Sequence, residues 1–318
     1  MKIFLTNILI TIVVLLLCSC NAQNQTAAQK GDQATMPSAS KVSFTKVDSS
    51  QVMNDVKYLA SDDLEGRGVG TKGATLAAQF IQQRFDQLGL EKFNDSFFQS
   101  FSIIKKGKDL SCKNVVGKIT GSKHPNKYII LTAHYDHLGF HDGKIFNGAD
   151  DNASGVAAIM AAAKFFKNNP PKHTLIFVAL DAEEVGLEGA KYFVKNNPVK
   201  NENVLLNINL DMISRNKANE IYICGTHHYP ILKEQLIHID ATSPIQVKFG
   251  HDTPDLGYND WTNSSDHAPF HKEKIPFIYL GVEDHEDYHK HTDTFEKIDY
   301  SFLYHSSILV IDLVLAFD

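Results

Sequence analysis

The sequence predicts an α/β fold in which a mainly parallel, mixed central sheet carries helices on both faces. Three observations support this prediction. Segments of strand and helix character alternate along most of the chain, which is typical of parallel sheets with helical crossovers. The strand segments are short apolar runs, as expected for strands that are buried on both faces. A chain of 318 residues, 43% of them hydrophobic, can build one large core.

Residues 1–43 are predicted to lie outside the folded domain. Lys2 precedes an apolar run, and residues 17–20 read LCSC, which resembles a bacterial lipobox. The pattern predicts that residues 1–19 are a lipoprotein signal peptide and that cleavage leaves a lipid on Cys20. The lipid would anchor the protein to a membrane of the bacterial cell envelope, on the periplasmic or extracellular face. An ordinary signal peptide or an uncleaved anchor helix is the alternative.

A tether should connect the anchor to the domain. Residues 20–43 are rich in Gln, Asn, Ala and Ser and poor in large apolar residues, which predicts a flexible segment. The single folded domain should then span residues 44–318. The mature chain keeps Cys112 and Cys224, and an oxidising envelope permits a disulfide between them without the sequence requiring one.

Periodicity and turn residues place the secondary structure. Two amphipathic helices open the domain, one in SSQVMNDVKYLAS and one in TLAAQFIQQRFDQLGL, which Gly89 closes. Strands are predicted at residues 114–120, 127–133, 174–180, 204–210, 220–224 and 276–281. Further helices are predicted at residues 153–168, 187–196, 231–239 and 300–317. The last helix is apolar but contains Asp312, so we interpret it as packed on the sheet and not as a membrane span.

The charge pattern argues against nucleic acid as a partner. The formal net charge is −6, and no basic run is interleaved with aromatic residues. The 15 histidines are many for a chain of this length, which makes a metal site worth seeking.

Acidic residues and histidines cluster where predicted strands end. The clusters are His134 with Asp136, Asp150 with Asp151, Glu183 with Glu184, Asp211, and the segment DHEDYHKHTDTFEKID. In a parallel sheet they would gather at one edge, where so many carboxylates would repel one another unless a cation were bound. Asp, Glu and His without Cys suit zinc or a similar divalent ion. Any one of these acidic residues, taken alone, could equally be a helix cap.

The motifs AHYDHLG, NGADDNASG, AEEVG, NLDM and YHxxxDT, in this order, resemble the co-catalytic di-zinc aminopeptidases of the bacterial leucyl aminopeptidase type. That family is related to glutamate carboxypeptidase, to the glutaminyl cyclases and to the non-enzymatic transferrin receptor. The similarity covers residues 57–299. It implies that the domain is a zinc exopeptidase that binds two Zn²⁺ per chain and acts on the N-termini of peptides or proteins.

The resemblance also implies a role for each matching residue. His134 and Asp211 would bind one zinc ion, Glu184 and His289 would bind the other, and Asp151 would bridge the two. A further set supports them: Glu183 would be the general base, Asp136 would hold the ring of His134, and the peptide bond between Asp151 and Asn152 would be cis.

The substrate pocket is less well defined by sequence. Asp266 and His267 lie in a segment that resembles one near the family's pocket, and Tyr258 and Trp261 could line a wall. Loop polar residues and half-buried loop aromatics are the equally open alternative.

Two details of the fifth cluster leave alternatives. His285, Glu286 and His289 match the zincin pattern H-E-x-x-H, but they follow a strand and lack helical periodicity, so the zincin interpretation is disfavoured. His291 competes with His289 as the ligand, and His289 is preferred because it fits the family's spacing to Asp293.

Three other functions compete with the aminopeptidase. A glutaminyl cyclase would share the fold but hold one zinc ion, and a non-catalytic binding protein would have lost ligands that this chain keeps. A carboxypeptidase would need an arginine-rich pocket, yet Arg67, Arg84 and Arg215 are the only arginines. The sequence leaves open the preferred side chain at the cleavage site, the oligomeric state, and whether the native metal is zinc, cobalt or manganese.

Overall fold

The computed structural model describes residues 47–240 and 243–318. The predicted signal peptide, Cys20 and the tether lie outside the described residues. Those assignments, and the domain boundary at residue 44, therefore stay predictions.

The helices and strands follow the predicted order. The α-helices are α1 Ser49–Leu59, α2 Lys72–Gln87, α3 Gly155–Asn168, α4 Glu188–Lys195, α5 Pro230–Asp240, α6 His267–Lys272 and α7 Tyr300–Phe317. The strands are β1 Phe98–Lys105, β2 Lys108–Ile119, β3 His124–His134, β4 Gly139–His141, β5 Lys144–Phe146, β6 His173–Leu180, β7 Val204–Asp211, β8 Glu220–Cys224, β9 Gln246–Phe249 and β10 Phe277–Gly281. The sequence did not predict α6 or the strands β1, β4, β5 and β9.

The main sheet has eight strands in the order β1-β2-β6-β3-β7-β10-β8-β9. Its four central strands, β6, β3, β7 and β10, are parallel. Strands β1 and β2 pair antiparallel with their neighbours, and β8 pairs antiparallel with β10 but parallel with β9. The mixed, mainly parallel sheet is therefore confirmed. The remaining strands, β4 and β5, form a separate hairpin.

Both faces of the sheet are covered because neighbouring residues of a strand point to opposite sides. On β3, Ile129 and Leu131 belong to the core cluster that also contains residues of α1, α2, α3 and α7, whereas Ile130 packs with Phe193 of α4 and Phe270 of α6. Each such burial stabilises the fold by about 1.5–3 kcal/mol.

Helix α7 is the one helix among the described residues that is long and apolar enough to span a membrane. Half of its most apolar window is buried inside the protein. It lies against α1, α3 and α5, and Phe302, Leu303 and Val310 contribute to the large core cluster. These contacts agree with a helix packed in the fold, and its main contacts are with other helices.

The two cysteines of the domain are free and buried. Cys112 lies on β2 and Cys224 on β8, and β6, β3, β7 and β10 separate those strands in the sheet. The permitted disulfide between them is absent from the structure.

Candidate metal centre

Two residues at the ends of neighbouring strands converge on one carboxylate. His134 is the last residue of β3, and Asp211 is the last residue of β7. Nε2 of His134 lies 3.3 Å from Oδ1 of Asp211 and 3.3 Å from Oδ1 of Asp151. All three side chains are buried. We call His134 and Asp211 the strand-end pair.

A second pair approaches the other oxygen of the same carboxylate from two turns. Glu184 lies in the turn after β6, and His289 lies in the turn after β10. Nε2 of His289 is 3.3 Å from Oδ2 of Asp151 and 3.5 Å from Oε2 of Glu184. We call Glu184 and His289 the loop pair. Asp151 thus presents one oxygen to each pair.

A short turn, Ala149–Ser154, carries Asp151 to this position ahead of α3. The peptide bond between Asp151 and Asn152 is cis, as the resemblance implies. The carboxylate of Asp293 accepts hydrogen bonds from the backbone N–H groups of Asp150 and Asp151, each at 3.1 Å. These bonds tie the turn to the segment that carries His289. The predicted helix start at residue 153 is therefore two residues early, because this turn precedes α3.

Asp136 supports the site in a way that the sequence did not predict. Its carboxylate accepts hydrogen bonds from the backbone N–H of Glu183 at 3.0 Å and of Glu184 at 3.2 Å. The carbonyl of Asp136 lies 3.1 Å from Nδ1 of His134, closer than its carboxylate at 3.8 Å. Asp136 therefore orients the His134 ring through its main chain, and it orients the two glutamates through its side chain. With Nδ1 donating, Nε2 of His134 presents a lone pair to the site.

A chain of buried polar groups on β3 and β7 ends at Asp211. Asn207 donates to the hydroxyl of Thr132, which donates to the amide oxygen of Asn209. Asn209 in turn donates to Ser265 at 2.9 Å, and Ser265 donates to Oδ2 of Asp211 at 2.7 Å. The chain fixes the Asp211 carboxylate so that Oδ1 faces His134.

Arg67 occupies the interior beneath the site. Its guanidinium donates to the carbonyls of Leu59, Tyr135, Asn147 and Gly148. Burial lowers its pKa to about 10, which still leaves it charged at neutral pH. The cation joins the end of β3 to the segment before the Ala149–Ser154 turn, and its charge offsets part of the repulsion among the buried carboxylates.

The surroundings shift the pKa values of the acidic residues in different directions. Burial raises the pKa of Glu183 well above its ordinary value, and burial also raises that of Asp211. Burial alone would raise the pKa of Asp151 too, but His137 and the other nearby imidazoles hold it well below its usual range. Asp151 therefore stays an anion, while Glu183 is the more basic carboxylate.

The three predicted pocket residues lie in different places. Tyr258 is 87% exposed and lines the cleft at the site. His267 is buried behind the wall, where its Nε2–H donates to the carbonyl of Trp261, and burial lowers its pKa to about 3. Asp266 is also buried, and burial raises its pKa to about 7. Asp266 and His267 therefore do not line the pocket, because they begin α6 and face inward, whereas Trp261 does line it.

The structure also places the residues of the zincin pattern. Residues 285–289 form a turn and not a helix. His285 donates from Nε2 to Asp150 at 2.9 Å, and Glu286 is exposed, so neither joins the site. His291, the alternative to His289, lies 3.0 Å from the Lys144 amine on the β4–β5 hairpin.

The arrangement fits bound metal. Ligand atoms about 2.0–2.2 Å from a tetrahedral zinc ion lie about 3.3–3.6 Å from one another. The nitrogen-to-oxygen distances in both pairs are 3.3–3.5 Å. Two groups of potential ligands occur in the described residues: His134, Asp151 and Asp211 form one, and His137, Asp151 and Glu184 form the other.

A cleft of about 560 Å³ opens at this centre. Both pairs, Asp151 and Glu183 line it, together with apolar and aromatic side chains that include Met212, Trp261, Tyr279, Val282 and Tyr288. Asp260 and Asp284 add further acidic groups, and no lysine or arginine of the described residues lines the cleft.

Sequence reasoning missed His137, Arg67 and Ser265. His137 lies inside the quoted motif AHYDHLG, and its histidine side chain was a signal that could have been used. Arg67 is one of only three arginines and stands between two glycines, which could have marked a special position. Nothing in the sequence alone marks Ser265 as the partner of Asp211.

The residues of this centre lie in a region that is similar to known proteins. The profile of peptidase family M28 matches residues 114–314. This range contains the four residues of the two pairs and also Asp151. The chain belongs to peptidase family M28. Among its M28 relatives, aminopeptidase YwaD of Bacillus subtilis is 31% identical over 227 residues, which are 68% of this chain and 44% of YwaD. The chain thus spans less than half the length of that relative.

Solved structures share the M28 fold. A glutaminyl cyclase from Bacteroides thetaiotaomicron superposes with a TM-score of 0.69 at 19% identity, covering 85% of this chain and 98% of that one. The zinc aminopeptidase BSAP from Bacillus subtilis gives a TM-score of 0.68 at 17% identity, covering 84% and 95%. Since the fold carries different activities, the activity must be argued from the site.

Proposed function

We propose that the protein is a zinc-dependent aminopeptidase that hydrolyses the N-terminal peptide bond of peptides or proteins. One observation carries the proposal: a single carboxylate, Asp151, stands between two imidazole–carboxylate pairs in an acidic cleft that Glu183 also lines. Membership of family M28 and the similarity to YwaD support it.

The proposed metal set follows the geometry of the two pairs. His134 and Asp211 would hold one zinc ion, Glu184 and His289 would hold the second, and Asp151 would contact both. Two zinc ions held there would polarise the scissile carbonyl and lower the pKa of a water molecule. The short contacts between nitrogen and carboxylate oxygen in both pairs support a count of two.

Glu183 has the properties of the general base. It lies next to the loop pair, lines the cleft, and has its pKa raised mainly by burial. Its carboxylate would accept a proton from the attacking water and then deliver it to the leaving amine. The two hydrogen bonds from its own and its neighbour's backbone N–H to Asp136 hold the turn in place during both transfers.

The charge of the cleft favours an amino terminus over a carboxyl terminus. Asp260 and Asp284 add to the acidic groups of the centre, and a free ammonium would be attracted to them. The three arginines point elsewhere: Arg67 is buried, Arg84 pairs with Asp55, and Arg215 pairs with Asp287. A carboxylate clamp of the carboxypeptidase type therefore has no base in the described cleft.

The test is mass spectrometry of defined peptides incubated with the zinc-loaded full chain. One peptide has a free amino terminus, one is acetylated, and one begins with Gln. Stepwise loss of N-terminal residues from the unblocked peptides alone is the expected result. Loss of ammonia from the Gln peptide alone would instead indicate a glutaminyl cyclase, and loss from the carboxyl end would indicate a carboxypeptidase. No change in any peptide would favour a binding protein.

The LCSC motif supports a further part of the proposal, namely that lipid on Cys20 anchors the protein in the bacterial envelope. Cells fed a labelled fatty acid should label the wild-type chain but not Cys20→Ala. Cys18→Ala is the matched control and should label normally. Equal labelling of wild type and Cys20→Ala would contradict the anchor.

A further inference from the structure

His137 is a buried histidine for which the two pairs leave no role. It follows Asp136 just beyond the end of β3, and it is only 1% exposed. Its Nδ1 lies 2.7 Å from Oε1 of Glu184 and 3.7 Å from Oδ2 of Asp151. It therefore faces the same two carboxylates as His289 does, but from the interior.

The atoms at this contact lack hydrogen bonds. Neither ring nitrogen of His137 has a hydrogen-bond partner among the described residues, and neither does Oε1 of Glu184. Nδ1 and Oε1 are thus close without the geometry of a hydrogen bond. Leaving a buried polar group unpaired is destabilising. A cation between the nitrogen and the two carboxylates would satisfy Nδ1 and Oε1 together, and it would push these two atoms apart, because they now lie closer than two ligands of one zinc ion do.

The main chain is shaped around this ring. A Cβ at Gly148 would lie 2.5 Å from Cγ and 2.6 Å from Cδ2 of His137, so only glycine leaves room for the imidazole. Gly148 has φ +56, a conformation that glycine adopts without strain. The backbone N–H of His137 donates to the carbonyl of Arg67, which fixes the base of the side chain.

His289 is the less enclosed of the two imidazoles. Its side chain is 42% exposed, whereas that of His137 is fully enclosed. His289 also lies in a turn and has φ +53, whereas His137 lies three residues after the end of β3 and forms a β-bridge with Gly68. The interior of the protein therefore holds His137 more firmly at the shared carboxylates than it holds His289.

We infer that His137 is a further protein ligand of the ion that Asp151 and Glu184 hold. The inference rests on the proposed two-metal function. Three imidazoles, those of His134, His137 and His289, then surround the two ions. The buried set of His137, Asp151 and Glu184 holds its ion from the inside, and His289 closes the site from the solvent side.

The test measures zinc binding and not turnover. The full chain in detergent, its variants His137→Ala and His289→Ala, and the control His141→Ala are titrated with zinc against a chelator of known affinity. His141 is an exposed histidine on the β4–β5 hairpin. His137→Ala should weaken one of the two ions by more than about 100-fold, beyond the 10–100-fold typical of residues that act behind a ligand. His289→Ala should weaken the same ion less, and His141→Ala should match wild type.

X-ray absorption at the zinc edge gives a second measurement. The wild-type protein with two ions should show three imidazole ligands in total, and His137→Gln should show two. Two imidazoles in both proteins would overturn the inference. So would wild-type zinc affinity in His137→Ala, while both results would leave the aminopeptidase proposal intact. A wild-type chain that binds no zinc would refute the proposed function itself.

Thermal unfolding separates ligation from packing. Without zinc, His137→Gln should melt within a few degrees of the wild type, whereas His137→Ala should melt lower because it also leaves a cavity where the enclosed ring lies. With zinc, they should lose most of the stabilisation that the metal gives to the wild type. If the variants instead lose as much stability without zinc as with it, His137 has a packing role only and the inference fails.

Discussion

The strand-end pair and the loop pair meet the same carboxylate but are positioned by different means. His134 and Asp211 end two adjacent strands of the central sheet, so the sheet itself sets their separation. Glu184 and His289 lie in turns, and the fold has to hold those turns with side chains. The first pair needs little more than strand register, whereas the second depends on specific buried contacts.

Those contacts come from charged residues that are not themselves in either pair. Asp136 holds the turn of Glu184, and Asp293 links the His289 segment to the Asp151 turn. Arg67 joins the end of β3 to the segment that precedes the same turn. The difference teaches that the loop pair is positioned by buried ionic groups, and that substitutions of those groups should affect the two pairs differently.

Replacing the proposed base, Glu183, should have the largest effect and leave both pairs unchanged. Glu183→Gln removes the proton acceptor, so kcat should fall by about 10²–10⁴-fold. Zinc content should stay at the wild-type value because Glu183 is not a member of either pair. Steady-state kinetics and zinc analysis of the same sample check both expectations.

Glu188→Gln is the matched control, because the Glu188 side chain forms an exposed pair with Lys191 at the start of α4. It should keep nearly full activity. Full activity in Glu183→Gln would refute the proposed mechanism, and loss of zinc would place Glu183 among the ligands.

Removing the buried arginine should destabilise the whole domain. Arg67→Met removes a donor from four carbonyls, of which that of Gly148 keeps the backbone N–H of Ala153, and it leaves the nearby carboxylates without a counter-charge. The substitution should cost about 3–5 kcal/mol of unfolding free energy. Urea unfolding measures the change. Lys191→Met, which removes an exposed ion pair, should cost less than about 1 kcal/mol. Equal losses in the two variants would show that Arg67 does not support the site.

A substitution at Asp136 should distinguish the pairs. The carboxylate of Asp136 accepts hydrogen bonds from two backbone N–H groups. In Asp136→Asn, the amide NH₂ would face one of these N–H groups, so that one hydrogen bond is lost and the turn of Glu184 is loosened. The affinity for the ion of the loop pair should fall by about 10–100-fold. His134 keeps its contact with the main-chain carbonyl, so the ion of the strand-end pair should be affected less.

Zinc titration of Asp136→Asn beside the exposed control Asp142→Asn checks this. Equal weakening of both ions would contradict the distinction between a sheet-placed pair and a turn-placed pair.

The smallest effect is expected outside both pairs. Tyr258 is 87% exposed, and its hydroxyl is 3.5 Å from Asp284. Tyr258→Ala should change KM and the unfolding free energy only within the range usual for surface sites, about 0.5 kcal/mol or twofold. Trp261→Ala, which removes a ring stacked 3.7 Å from His251, should have the larger effect on KM. The reverse order would make Tyr258 a main determinant of substrate binding.

Apolar patterning was sufficient to predict the central strands, and the family resemblance named the five residues that the structure brings together, namely the two pairs and Asp151. Apolar runs marked the parallel strands, and the strand direction brought His134 and Asp211 to one edge. The edge strands β1 and β9 escaped prediction because FQSFSIIK and QVKF mix polar and apolar residues. A strand with one exposed face has a weaker apolar signal than a strand covered on both faces.

The supporting residues could not be predicted for a different reason. His137 is only three positions from His134, but it follows the end of the strand, where alternation no longer says which way a side chain points. Arg67 ends a short 3₁₀ segment, Asp62–Arg67, and its acceptors are carbonyls, which every residue has. A hydrogen bond to a main-chain carbonyl cannot be predicted from the sequence, because the identity of the accepting residue does not matter.

The polar chain from Asn207 to Asp211 has a direction. Every donor in it points towards the carboxylate, through Thr132, Asn209 and Ser265. The bond dipoles therefore add, with their positive ends towards Asp211. Reversing any one link would set two donors or two acceptors face to face elsewhere in the chain. The hydrogen bonds of this chain therefore depend on one another. A single apolar replacement between the strands would change the electrostatic environment of the Asp211 carboxylate at the edge of the sheet.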